Sequence, residues 1–174
     1  AHYLLSDETP PVVYRLVDEH RRAWHAGASF WKGATMLNAA SIGIEIVNLG
    51  EATLADGTKV FAPYPPAQID LLVRLVRDIA LRHQIKPERI LGHSDIAPQR
   101  KPDPGAAFPW KRLADEGLIP RSMRFGSAWK PSGWPPTSCV TRPSCPTWPG
   151  SSARWPRWAT RCPITASWTN PRVG

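Results

Sequence analysis

The sequence predicts an α/β fold in which a mixed central β-sheet is flanked by helices. Three observations lead there. Residues 41–48 (SIGIEIVN) form a nearly unbroken apolar run, which suits a strand covered on both faces. Between residues 66 and 83, Ile69, Leu72, Val73, Val76, Ile79 and Ala80 recur at three- and four-residue steps. Asp70, Arg74, Arg77 and Asp78 fall largely on another face, as in an amphipathic helix. Strand and helix signals then alternate along residues 1–120, the pattern of a layered α/β domain.

The elements follow in order. Residues 2–5 (HYLL) read as a short strand, ended by the polar and proline-rich stretch 6–11. Residues 12–17 (VVYRLV), rich in β-branched and aromatic side chains, are a second strand, so the pair reads as a hairpin with a long connection. Residues 18–27 carry His20, Trp24 and His25, and Trp31 and Gly33 follow in a loop. After the central strand, residues 51–66 read as a loop with a turn at Asp56-Gly57. The helix of 66–83 is stopped by Pro87, and residues 89–92 (RILG) form a short strand that delivers His93 to a strand end. A last helix starts near Pro109, a favoured first helical position, and runs to about Gly117.

Charge divides the chain in two. The 174 residues hold 22 Lys+Arg and 14 Asp+Glu, a net charge of +8. Eight of the basic residues and none of the acids lie in 121–174, which leaves 14 against 14 in residues 1–120. Residues 1–120 therefore read as one neutral domain and 121–174 as a separate tail. The tail has no Leu, one Ile, nine Pro and six Trp, too little aliphatic surface to offset its ordering entropy. Two readings of it stand: a basic, Trp-rich nucleic-acid or membrane-surface segment, or the out-of-frame product of a GC-rich gene. It is expected to be unstructured and is assigned no function, and the neutral domain argues against nucleic acid as a partner. Cys139, Cys145 and Cys162 all lie in the tail, and an odd number makes no complete disulfide framework. No apolar run approaches a membrane span and no signal peptide is visible; the chain starts at Ala1, already in a strand.

Chemistry concentrates in residues 92–105, GHSDIAPQRKPDPG. The stretch puts His93, Lys101 and Asp103 on one loop braced by Pro98, Pro102 and Pro104, which fix φ and are expected to bar helix. Imidazole and carboxylate are both zinc ligand types, although a lone pair at this spacing is more often part of an ordinary surface turn. Glu45 is the one charge inside the central strand, and burying it unpaired is costly. It is either salt-bridged to a neighbouring Arg or Lys, exposed on a sheet edge, or kept as a general base whose pKa partial burial raises. His83 reads as a favourable cation at a helix C-terminus and His20 as solvated; His2 and His25 stay ambiguous. Trp24 and Trp31 form either an aromatic wall for a ligand or part of the core.

Residues 23–27 (AWHAG), 31–48 (WKGATMLNAASIGIEIVN) and 92–110 (GHSDIAPQRKPDPGAAFPW) together resemble the type 2 amidase family, in order and at fitting spacing over residues 1 to about 120. These are zinc-dependent N-acetylmuramoyl-L-alanine amidases related to peptidoglycan recognition proteins. The likeness is closest to the branch of Gram-negative cell envelopes. It implies the amidase/peptidoglycan-recognition fold, Zn2+ as cofactor, His93 and Asp103 as metal ligands, and Glu45 and Lys101 as catalytic residues. It further implies Trp24, His25 and Ala97 at the substrate. The substrate would be peptidoglycan or a muropeptide, the location the cell envelope or periplasm, and the protein a monomer, with membrane anchoring of the full-length protein compatible with the likeness. A non-catalytic peptidoglycan-binding module of the same fold is the alternative. In one respect the chain departs from the pattern. The family's first zinc histidine lies on a strand preceding the segment that matches residues 2–5; His2 corresponds to a different histidine. The resemblance therefore implies an N-terminally truncated domain with its first strand missing, an exposed sheet edge, weak zinc binding and little hydrolysis.

Overall fold

The computed structural model of the chain describes residues 1–121 and, as backbone, 164–169. Its main sheet has five strands, in the spatial order β2 (Val13–Arg15), β1 (Tyr3–Leu5), β3 (Ile42–Val47), β7 (Ile164–Thr169) and β6 (Ile90–Gly92). β1 (Tyr3–Leu5) pairs antiparallel with β2 (Val13–Arg15), the hairpin expected from the sequence. On its other side β1 runs parallel to β3 (Ile42–Val47), with Leu4 opposite Glu45. β7 (Ile164–Thr169) is parallel to β3 and also to β6 (Ile90–Gly92). The mixed α/β architecture is the one the sequence predicts.

Alternation along β3 sorts the two faces. Ile42, Ile44 and Ile46 are all at most 2% exposed and join one core with Ile69, Leu72, Val73, Val76 and Ile79 of α2 (Pro66–Arg82). Each such isoleucine contributes roughly 1.5–3 kcal/mol by leaving water. α2 opens on Pro66, where a missing amide proton leaves no bond unmade. Gly43 and Glu45 belong to the opposite face. There a second, smaller core gathers Ala26, Trp31, Leu37, Leu91, Ile96 and Ala97. Glu45 sits between the two regimes, half-buried.

Several expectations are corrected. The loop expected at 51–66 contains a hairpin, β4 (Glu51–Thr53) and β5 (Lys59–Phe61), closed by the turn foreseen at Asp56-Gly57. Asp56 Oδ1 accepts the Thr58 amide at 2.8 Å there, and Gly57 has φ +83°. A four-residue helix, α1 (Leu37–Ala40), precedes β3. The loop after β6 begins with a helical turn, α3 (His93–Ile96), where prolines were expected to bar helix. The first of them is Pro98, so the residues ahead of it are free to coil. Ala97 stands directly before Pro98 and leaves helical geometry (φ −148°, ψ 52°), which ends the turn. α4 (Trp110–Asp115) follows Pro109 as predicted, and Gly117 (φ +73°) closes it.

The tail differs from expectation in one place: residues 164–169, read as lacking any strand pattern, form β7. The rest of the reading of residues 122–163 and 170–174 lies outside the described residues. The exposed edge expected from a missing strand is not found at β3, since β1 and β7 flank it and pair its backbone groups on both sides. No helix among the described residues is long and apolar enough to cross a membrane.

Candidate active site

β6 ends at Gly92, and the chain turns at once into α3, which carries His93 inward. Asp95 Oδ2 accepts the Gly92 amide at 2.7 Å, a local closure that fixes where the turn begins. Burial raises the Asp95 pKa, and that backbone hydrogen bond opposes it. The descending loop is tied back at three points. The Ser94 amide donates to the Asp103 carbonyl at 2.8 Å, the Lys101 amide to the Ala97 carbonyl at 3.0 Å, and the Tyr64 hydroxyl to the Pro104 carbonyl at 2.8 Å. Asp103 is thereby held against His93: His93 Nδ1 lies 3.0 Å from Asp103 Oδ2, and both residues are 4% exposed. His93 Nε2 faces the Ala26 carbonyl at 3.2 Å.

Glu45 lies on the same side of the sheet. Thr165 of β7 is level with both Gly43 of β3 and Leu91 of β6, so Gly43, Leu91 and every second residue beyond them share one face. Glu45 is two residues beyond Gly43 on that face, and His93, at the head of α3, is on the same side because its Nε2 meets the carbonyl of Ala26, which packs with Leu91. The backbones of β3 and β6 are two strand spacings apart, about 10 Å. A carboxylate reaching from one strand and an imidazole at the end of the other can address a common guest across that span. Among the described residues Glu45 enters no ion pair, so none of them supplies the salt bridge that would make it merely structural. Lys101 is half-buried in the loop two residues before Asp103.

The remaining residues suggested by the sequence divide. Trp31 is 3% exposed and belongs to the core, whereas Trp24 is 71% exposed with the Arg22 guanidinium 4.5 Å above its ring. His25 lies against Gly43, where any Cβ would overlap its ring. Burial, with His2 nearby, lowers the His25 pKa to about 4. The neutral ring donates from Nδ1 to the Ala23 carbonyl at 3.0 Å, and its Nε2 lies 2.8 Å from the Ser41 hydroxyl, which also reaches the Leu37 carbonyl at 2.6 Å. His2, 1% exposed, accepts the Gly43 amide at Nδ1 and donates from Nε2 to the Arg21 carbonyl, both at 3.0 Å. It is a structural latch between β1 and β3. Ala97 is fully buried, and its carbonyl anchors the amides of Arg100 and Lys101. That places it behind the loop, with no side-chain surface for a ligand.

Three contributors carry no local signal in the sequence. Asn38 Oδ1 accepts the amides of His25 and Ala26 at 2.8 and 2.7 Å, shaping the segment whose carbonyl meets His93. Arg100 donates to the carbonyls of Ala28 and Ala26 and lies 3.3 Å from His93 Nε2, so it clamps that segment to the His93 loop. Tyr64 anchors Pro104. An open cleft of about 360 Å³ adjoins the loop, lined by Asn48, Phe61, Tyr64, Pro102, Pro104 and Ala107 among others.

As a metal centre the arrangement fits zinc in kind. Nitrogen and oxygen donors stand 3.0 Å apart in a buried setting. The Ala26 carbonyl at Nε2 is the outer partner that a ligating imidazole needs in order to present Nδ1. In number it falls short: no three His, Cys, Asp or Glu side chains are grouped to hold an ion among the described residues, and catalytic zinc sites use three protein donors.

Comparison with known proteins places this geometry in context. Residues 1–106 match the Amidase_2 family, described as N-acetylmuramoyl-L-alanine amidase. The chain is 51% identical over 123 residues to the N-acetylmuramoyl-L-alanine amidase AmiD of Escherichia coli K12, covering 68% of this chain and 44% of that protein. It is 42% identical over 101 residues to the 1,6-anhydro-N-acetylmuramyl-L-alanine amidase AmpD of Enterobacter cloacae, covering 58% of this chain and 49% of that one. Among solved structures, E. coli AmiD in complex with anhydro-N-acetylmuramic acid-L-Ala-D-γ-Glu-L-Lys superposes with a TM-score of 0.64 at 50% identity, over 68% of this chain and 48% of that one. AmpDh3 from Pseudomonas aeruginosa with anhydromuramic pentapeptide gives 0.61 at 42% identity, over 68% and 50%. The chain thus spans about half the length of the relatives it matches.

Proposed function

The chain belongs to the Amidase_2 family of N-acetylmuramoyl-L-alanine amidases, and from that premise we propose that its cleft hydrolyses the amide joining N-acetylmuramic acid to L-alanine in peptidoglycan or muropeptides. What supports the reading is the buried His93–Asp103 pair at the end of β6 and, two strands away on β3, a half-buried Glu45 that enters no ion pair among the described residues. Glu45 takes a proton from the attacking water as its oxygen bonds to the lactyl carbonyl carbon. It then gives that proton to the alanine nitrogen as the C–N bond breaks. Lys101 places an ammonium where the carbonyl oxygen becomes an oxyanion. The products are a lactyl carboxylate and a free peptide amine. His93 and Asp103 are the donors this chain offers to zinc, which when bound makes water acidic and polarises a carbonyl. Trp24, exposed at the rim, and the adjoining cleft offer surface to the sugar and peptide. The relatives are bacterial, and the proposed setting is a Gram-negative cell envelope.

The experiment is release of peptide from a muropeptide by the zinc-supplemented chain, with Glu45→Gln and Lys101→Ala beside it. Glu45→Gln should lower kcat/KM by roughly 10²–10⁴ and Lys101→Ala by roughly 10²–10³, with muropeptide binding kept. Unchanged rates would remove both residues from the mechanism. The two-donor count favours one second reading, a muropeptide-binding module that does not cut. Tight binding with no release, even at saturating zinc, would select it.

A further inference from the structure

All 14 acidic side chains of this protein lie in residues 1–120, and residues 121–174 hold none. The ion pairs among the described residues can therefore be set against the whole supply of carboxylate side chains. They engage cations of α2, α4 and the two hairpins. None of them includes Arg21, Arg22, Lys32, Arg100 or Lys101. Those five cations occupy just two segments, 20–36 and 92–105, and no Asp or Glu occurs between Glu19 and Glu45.

The two segments form one surface. Arg100 Nε donates to the Ala28 carbonyl at 2.9 Å and Arg100 Nη2 to the Ala26 carbonyl, while the Phe30 amide donates to the Ile96 carbonyl at 2.8 Å. Arg21, Arg22, Lys32 and Arg100 are exposed, and the Arg22 guanidinium stacks on the exposed Trp24 ring. Neighbouring acids are engaged elsewhere. Asp18 pairs with Arg15, Glu19 with Arg82 and His83, Asp95 closes on the Gly92 amide, and Asp103 is buried against His93. Like charges gathered without partners repel one another, and a polyanion lying across them relieves that repulsion.

We propose that this face, centred on Arg21, Arg22 and Lys32, holds an anionic peptidoglycan chain by the carboxylates of its stem peptides, beside the amide that is cut. The proposal rests on the reading of peptidoglycan as this protein's partner. Two observations favour that polymer over an anionic membrane. The face is continuous with the candidate site, since the Ala26 carbonyl meets His93 Nε2 at 3.2 Å, so a polymer whose amide lies at His93 extends across it. The helices at its borders, α1 and α3, have four residues each, too few to lie in a headgroup layer as an amphipathic helix does. Charges at the rim of a site set association and its salt dependence.

The test is sedimentation of the full chain with purified peptidoglycan sacculi, without added zinc, so that the readout is binding and not cleavage. Binding should weaken as salt rises. It should weaken about tenfold when Arg21→Gln, Arg22→Gln and Lys32→Gln are combined, the sum of three exposed charge contacts. Arg74→Gln, which removes an exposed cation of α2, should change nothing. Sacculi whose carboxylates are converted to neutral amides should hold the parent chain poorly. The salt and amidation arms use the parent chain alone, so they decide even where the triple variant folds badly. Binding indifferent to amidation, or to the three substitutions in a folded variant, would overturn the proposal. Tighter binding to phosphatidylglycerol vesicles than to sacculi would overturn it as well, by making a membrane the partner. Absence of peptide release, with charge-dependent binding to sacculi intact, would overturn the amidase reading alone and leave this surface standing.

Discussion

A single carboxylate, Glu19, accepts hydrogen bonds from Tyr3 Oη at 2.5 Å, from Arg82 at 2.6 Å and from His83 Nε2 at 2.6 Å. Burial pushes its pKa up, but the bonds from His83, Tyr3 and Arg82 outweigh that and hold it at about 2, against an ordinary 4.5. The same contact and burial push the Tyr3 phenol up to about 12. Because the folded carboxyl is the stronger acid, its stabilisation is fully present above about pH 4.5 and is lost as pH falls toward 2. Glu19→Gln should therefore lower unfolding free energy by about 1–3 kcal/mol at pH 7. The gap between variant and parent should close between pH 4.5 and 2 in urea melts; a gap independent of pH would show that the charge is not what matters. The sequence let His83 be read as a cation at a helix end, and its partner lies 64 residues away, beyond any local pattern. The Glu45 question was legible only as a choice, since an ion pair and a catalytic carboxylate look alike until the neighbouring strands are known.

At the scale of elements, β3 was the easiest to read and yet holds a constraint that its apolar run does not express. Gly43 is where the His25 ring lies against the sheet, and the same residue's amide is taken by His2. Gly43→Ala should displace His25 from its bonds to Ala23 and Ser41 and cost about 1–3 kcal/mol by overpacking. A thermal melt unchanged from the parent would mean that the ring yields freely. The long helix was legible because it presents several full turns of one apolar face, and the β1–β2 hairpin because its strands are rich in β-branched and aromatic residues. The β4–β5 hairpin was not: Glu51–Thr53 and Lys59–Phe61 are three residues each and exposed throughout, so no inside-outside alternation exists to detect. α1, at four residues, is shorter than the pattern that announces a helix. α3 escaped notice because the prolines that dominate its loop begin after it.

For the whole molecule, the charge and composition boundary near residue 121 was plain in the sequence, but the crossing of that boundary by the sheet was not. Residues 164–169 (ITASWT) do alternate, with Ile164, Ala166 and Trp168 set between Thr165, Ser167 and Thr169, but the run is short, it lies within a Pro-, Arg- and Trp-rich tail, and its partners in β3 and β6 lie far upstream. Their place follows from pairing: β3 and β6 are parallel, and the backbone donors and acceptors between them are matched by β7 alone among the described strands. A chain ending at residue 163 would leave six residues of β3 and three of β6 with one side unpaired, in the middle of the sheet and not at its rim. Hydrogen exchange reads this directly. In the full chain the amides of Ile42–Val47 should exchange with the slowest class, because opening them requires breaking a central strand. In the shortened chain the β3 and β6 amides that face β7 should exchange faster, while those paired toward β1 change less, and the protein should associate through the uncovered strands. Equal protection of β3 in both chains would show that residues 164–169 are not what completes the sheet.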